Sequence, residues 1–176
     1  MLTDYNPIEY LTKIQSLKYR AAKLPIIIVV VSFSINIIFK VDIVKYCALL
    51  GLIFYIFVLM CYRIKKQVPP ENSDTVILSP IHGKIFQIDA NTIKIKKHIL
   101  EAADFRCSSR ENVEIEFSKA RLFRFENDCN MPGKLIGIFP YSVICIITIP
   151  KNYEIEVSPG EKVEAGETIL AKHVSE

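Results

Sequence analysis

Two long apolar runs open the chain, and short alternating runs follow them. Residues 21–39 (AAKLPIIIVVVSFSINIIF) hold one charge, Lys23, and residues 46–62 (YCALLGLIFYIFVLMCY) hold none. Each is close to the ~20 residues an α-helix needs to cross ~30 Å of hydrocarbon. Six residues, 40–45, join them, so a tight helical hairpin is expected. Ahead of it Ile8, Leu11, Ile14 and Leu17 recur every third residue, which predicts a short amphipathic surface helix over 6–17. Beyond Gln67 the period shortens to that of strands, expected at 75–78, 84–89, 92–96, 113–116, 121–125, 135–139, 143–149, 153–157 and 168–171. Val113, Ile115 and Phe117 alternate, as do Ile155 and Val157, the pattern of half-buried strands. Turns are expected at Ser79-Pro80 to Gly83, 89–91, Pro132-Gly133 and 158–160, and a short helix at 98–104. No βαβ pattern occurs, so neither a dinucleotide fold nor a phosphate-binding loop is expected.

This pattern divides the chain into an N-terminal surface segment (1–20), a transmembrane helical hairpin (21–66), a polar proline-bearing linker (67–74) and a β-rich domain (75–176). The fold class is a membrane helical hairpin plus an all-β domain. Charge divides at the same place. Residues 1–66 carry 9 Lys+Arg against 3 Asp+Glu, a net of +6, and residues 67–176 carry 13 against 16, a net of −3. A nucleic-acid surface needs its cations on the folded part, so that class is excluded. Lys13, Lys18, Arg20 and Lys23 precede the hairpin and Arg63, Lys65 and Lys66 follow it. Such flanks place both ends, and the β domain, on the cytoplasmic side of the cell (inner) membrane. The five cysteines, Cys47, Cys61, Cys107, Cys129 and Cys145, lack zinc-ligand spacing and are expected as reduced thiols behaving as small hydrophobes.

The C-terminal phrase VSPGEKVEAGETIL (157–170) places Gly160 and Gly166 six residues apart. Two tight turns result, with Val163 and Ile169 filling the core between them. That arrangement suits a barrel-sandwich hybrid of the kind seen in biotinyl and lipoyl carriers. Lys119, in Phe-Ser-Lys-Ala-Arg, is not flanked by such turns and reads as a solvated lysine. His173 also reads as solvated, and Cys145 as a core residue.

The order of parts is an apolar hairpin, a basic exit with Pro69-Pro70, the run Ser79-Pro80-Ile81-His82-Gly83-Lys84-Ile85, then Gly133-Lys134-Leu135-Ile136-Gly137-Ile138-Phe139, Tyr141-Ser142 with a β run, and the glycine-turn C-terminus. It resembles a short, bacterial-type phosphatidylserine decarboxylase over residues 21–171. The resemblance implies a proenzyme cut between Tyr141 and Ser142. Ser142 would become a pyruvoyl group, whose carbonyl takes up the serine amine of the lipid and acts as electron sink for loss of CO₂. It implies membrane phospholipid as substrate. Where the family has Gly before the serine this chain has Tyr141, and His82 stands where the family has Asp. His98 is the sole histidine of a shortened interval over 94–117. His82 is the candidate base on Ser142. Two readings stay open: an active decarboxylase, and a catalytically inactive membrane-tethered β domain that binds lipid or a partner chain, including a second copy of itself.

Overall fold

In the computed structural model, which describes residues 7–40, 42–70, 75–110, 113–118, 120–126, 128–129 and 131–174, helix α1 spans Pro7–Phe39 and α2 spans Asp42–Cys61. Both are long and apolar enough to cross a membrane. The expected amphipathic helix and first apolar span are one continuous helix of 33 residues, about 50 Å at 1.5 Å per residue. Pro25 lies within it, where it costs one backbone hydrogen bond. Lys40 takes φ 50° and its N–H bonds to the Asn36 carbonyl at 2.9 Å, closing α1 with a left-handed cap. Gly51 of α2 faces α1 so closely that a Cβ there would sit 2.8 Å from Val29 Cγ2. Small residues permit such helix contacts where hydrophobic driving force is absent.

The chain divides after Tyr62, and residues 63–176 form the second unit. Its strands are β1 (Val76–Leu78), β2 (Gly83–Asp89), β3 (Thr92–Lys97), β4 (Asp104–Arg106), β5 (Glu114–Phe117), β6 (Phe123–Arg124), β7 (Leu135–Ile138), β8 (Val143–Thr148), β9 (Tyr153–Ile155), β10 (Lys162–Val163) and β11 (Ile169–His173). They form three antiparallel sheets, ordered β1-β11-β9, β10-β2-β3-β8-β5 and β4-β7-β6. None of these orders closes into a barrel among the described residues. In the five-stranded sheet the register Lys97↔Val143 and Ile95↔Cys145 aligns β3 with β8. Ile93, Ile95, Val143, Cys145 and Ile147 thereby share its buried face, as period-two alternation requires. Phe105, Phe117 and Phe139 meet in the core with centroids 4.7–5.4 Å apart.

Several expectations change. The helix expected at 98–104 is one turn, in which Glu101 accepts the His98 N–H at 2.7 Å. Tertiary partners claim the next backbone groups, with Ala103 N–H bonding Arg63 O and Phe139 N–H bonding Ala103 O, each at 2.7 Å. Ser79 to Gly83 is no surface turn. It is fully buried and carries the chain from one sheet to the next, with Arg106 N–H on Pro80 O at 2.8 Å and Gly166 N–H on Ser79 O at 2.8 Å. Val163 is in the core as expected, but Leu170 rather than Ile169 is fully buried. The pairing Ile77↔Ala171 followed by Leu78↔Ile169 leaves Leu170 as a bulge, and a bulge shifts the alternation by one residue. Gly160 and Gly166 do make the two turns, with φ 91° and 74°, a region glycine enters without steric cost.

Cys107 and Cys129 are joined by a disulfide, which corrects the expectation of five reduced thiols. The fold brings the end of β4 beside the segment before Gly133, a proximity that a 22-residue separation does not announce. Cys61 and Cys145 are buried free thiols, and burial pushes the Cys145 thiol up, leaving it inert core. Lys119 and residues 71–74 of the expected linker lie outside the described residues.

Gly83 gives the sharpest test of this packing, because a Cβ there would meet Lys96 O at 2.6 Å and Ile95 Cγ2 at 2.9 Å. Gly83→Ala is expected to cost about 1–3 kcal/mol by overpacking. Denaturant unfolding followed by circular dichroism reads this, since the chain lacks tryptophan. An unchanged midpoint would mean that β2 and β3 approach less closely than described.

Candidate functional site

Two neighbourhoods hold the residues that the sequence singles out. The first is a buried polar knot around β4. Asp104 and Arg106 both point inward, Arg106 Nη2 meeting Asp104 Oδ2 at 2.9 Å and Nε the same oxygen at 3.2 Å. Arg106 also donates to Gly133 O and to Lys65 O, each at 2.9 Å. Asp104 Oδ1 accepts the Lys65 backbone N–H at 3.0 Å. His82 is buried beside this pair, its Nε2 3.8 Å from Asp104 Oδ1, too long for a hydrogen bond. Its Nδ1 accepts the Ala165 N–H at 3.4 Å. Burial alone would raise the Asp104 carboxyl, but the adjoining His82 imidazole and Arg106 guanidinium hold it below its ordinary value. Lys65 Nζ meets Glu164 Oε1 at 2.6 Å and holds that carboxyl low as well. A cavity of about 120 Å³ lies here, bordered by His82, Lys65, Glu101 and Glu164.

The second neighbourhood is the start of β8. Tyr141 and Ser142 are exposed, and Ser142 opens into a cavity of about 210 Å³ lined also by Lys96, Lys97, Ser118, Val143 and Ile144. Ser118 Oγ accepts the Ile144 N–H at 3.0 Å, which fixes the far wall. Lys97 ends β3 with its side chain inward and no exposed surface. Its Nζ donates to Tyr141 O at 3.4 Å and to His98 O at 3.2 Å. A keto group formed from Ser142 would stay at the mouth of this cavity, among groups that donate hydrogen bonds, so the residues present fit it.

The structure does not bring His82 to Ser142. Lys84 pairs with Lys96 and Lys97 with Val143, so the whole of β3 separates β2 from β8. Two inter-strand spacings amount to ~10 Å, and the two residues border different cavities. The expected base on the serine is instead part of the Asp104 knot. The residue that reaches the Tyr141 carbonyl is Lys97, which sequence reading passed over as one of three lysines in β3. Its signal was the alternation Ile93, Ile95, Lys97, which places a lysine on the buried face. His98 is exposed in the turn, and His173 is exposed on β11, with its ring edge-on to Tyr153 at 5.2 Å.

A third cavity, about 550 Å³, is lined by Val113, Ile115, Phe117 and Leu122 with Arg110, Arg124 and the Cys107–Cys129 bridge. Comparison of the chain with protein-family models, curated proteins and solved structures finds no match.

Asp104 carries a pH prediction. A carboxyl held low in the fold contributes stability that is present above its unfolded pKa, near 4, and is lost as pH falls below it. Asp104→Asn should cost about 3–5 kcal/mol at pH 7, the penalty for stranding a buried charge. The gap to the wild type should then narrow on going from pH 5 to pH 3. A gap of constant size across that range in denaturant titrations would show that the carboxylate charge is not what binds the knot.

Proposed function

We propose that this chain is a membrane-anchored protein of the phosphatidylserine decarboxylase type, matured by self-cleavage between Tyr141 and Ser142. The observation that carries the reading is the placement of Ser142: at the rim of the central sheet, exposed, at the mouth of a cavity floored by a buried lysine. A serine that must attack its own preceding carbonyl, and then present the product to a substrate, belongs in such a position. The pyruvoyl group so formed supplies the carbonyl that binds the amine of an aminophospholipid and the electron sink for its decarboxylation. The cavity of about 550 Å³ supports lipid as the substrate, since it sets the apolar Val113, Ile115, Phe117 and Leu122 beside a polar side with Arg110, Arg124 and Asp128. Gly160 and Gly166, with Val163 buried between their turns, support kinship of the C-terminal part with barrel-sandwich hybrids. The two apolar helices hold the domain at the bilayer, and the cations at both outer ends favour the cytoplasmic face.

A second reading rests on a specific observation. His82 is committed to Ala165 and the Asp104 knot, so it does not serve Ser142. A chain that never cleaves is a tethered lipid- or partner-binding domain. The disulfide likewise favours the extracytoplasmic face, because such bonds persist in oxidising compartments.

Intact-mass measurement on the purified full chain separates the two readings of chemistry. The decarboxylase reading predicts fragments 1–141 and 142–176, the smaller with a blocked N-terminus, and a single uncut chain in Ser142→Ala. An uncut wild type leaves the binding domain. For topology, Ser158→Cys provides an exposed thiol on the β domain. A membrane-impermeant maleimide should label it only after the cells are opened. Labelling in intact cells would place the domain outside.

A further inference from the structure

We infer that Lys97 is a catalytic residue of the self-cleavage, donating from its ammonium to the oxygen on which negative charge develops. The inference rests on the self-cleavage reading above and assigns the part of the machinery that His82 does not supply. Lys97 is the last residue of β3, and the register Lys97↔Val143 places its backbone against the first residue of β8. Alternation turns the side chain inward beside Ile93 and Ile95, so the ammonium travels under the sheet edge. It is fully buried, and its Nζ hydrogen-bonds Tyr141 O at 3.4 Å and His98 O at 3.2 Å. The His98 carbonyl fixes the amine at one point while the Tyr141 carbonyl holds a second N–H. Tyr141 O is the oxygen of the peptide bond that Ser142 would break.

Burying a lysine carries a desolvation cost that is worth bearing only where the charge has a partner. A preorganised cation is worth most when its partner gains charge, and the Tyr141 oxygen gains a full negative charge during attack. A hydrogen bond that is long in the resting state tightens as that charge develops.

The chemistry balances without a co-reactant beyond water. Ser142 Oγ adds to the Tyr141 carbonyl carbon, and the oxygen held by Lys97 becomes an oxyanion. The hydroxyl proton passes through solvent in the open cavity to the Ser142 nitrogen. That nitrogen leaves as an amine when the C–N bond breaks, giving an ester between Tyr141 and Ser142 Oγ. Loss of the Ser142 Cα proton expels the Tyr141 carboxylate and leaves a dehydroalanine terminus. Addition of one water and loss of ammonia then give the keto group. Nothing is oxidised or reduced overall.

The test follows cleavage of the full chain over time, made by cell-free synthesis into liposomes, with fragments read by mass and folding read by thermal melting. Lys97→Met keeps the length of the stem and removes the donor. It should slow appearance of the 142–176 fragment by about 10²–10³-fold, the usual loss for one oxyanion donor, without an accompanying loss of the folded signal. Lys97→Arg, which keeps a cation and its donors, should recover at least a tenth of the wild-type rate. If Lys97→Met fails to fold, the comparison of Lys97→Arg with the neutral Lys97→Gln carries the same contrast. Wild-type cleavage with Lys97→Met equally fast, or with Lys97→Arg no faster than Lys97→Gln, overturns the role of Lys97 and leaves the self-cleavage reading intact. A wild-type chain that stays whole overturns both.

Discussion

The β domain is organised by one sealed ion pair. Asp104 and Arg106 stand two residues apart on a three-residue strand, both withdrawn from solvent, and the arms of the pair reach two other segments. Asp104 takes the backbone of Lys65, while Arg106 takes the carbonyls of Lys65 and Gly133. The segment leaving the apolar helices, the turn before β7 and the buried Ser79–Gly83 crossover thus converge on β4. Buried charges are costly unless fully paired, so such a knot has few alternative arrangements. It therefore specifies position more than it adds stability. His82 is part of that specification. Its ring is pinned between Ala165 and Asp104, which makes it a joint between the crossover and the C-terminal glycine turn.

With the histidine assigned to architecture, the chemistry we propose moves one strand over. β3 carries a cation on its buried face to the end where β8 begins, and the Tyr141–Ser142 peptide lies against that cation. One antiparallel pairing accounts for both features: alternation buries Lys97, and register sets it opposite Val143. The site is thus a property of the sheet edge, and its geometry does not depend on a flexible loop. The remaining cavity, walled in part by β5, adjoins it, since Phe117 lines the one and Ser118, the next residue, lines the cavity of Ser142.

Much of the fold was legible because periodicity is local. The apolar spans, the hairpin and most of the strands follow from runs of one residue class, and the glycine turns at 160 and 166 from the two glycines alone. What escaped was set by distant partners. The segment 98–104 reads as a helix because Leu100, Glu101, Ala102 and Ala103 favour one, but Arg63 and Phe139 claim the Ala103 backbone, and β4, which follows it, was not expected. β10 has only two residues and exists because Lys162 and Val163 pair with Lys84 and Gly83. The Leu170 bulge is a register event between β1 and β11 that no pattern in either strand announces. In the proposed site, Ser142 was singled out from its surroundings along the chain. Lys97 was missed because a lysine is assumed to face water, although the two isoleucines before it already gave the face.

The central claim is that the Tyr141–Ser142 bond breaks to leave a reactive carbonyl at residue 142. Labelling of the purified full chain with a fluorescent hydrazide, a reagent for ketones, tests it most directly. The account predicts that the label enters the fragment that begins at residue 142, and that Ser142→Ala takes up none. Absence of label from every wild-type species would contradict it.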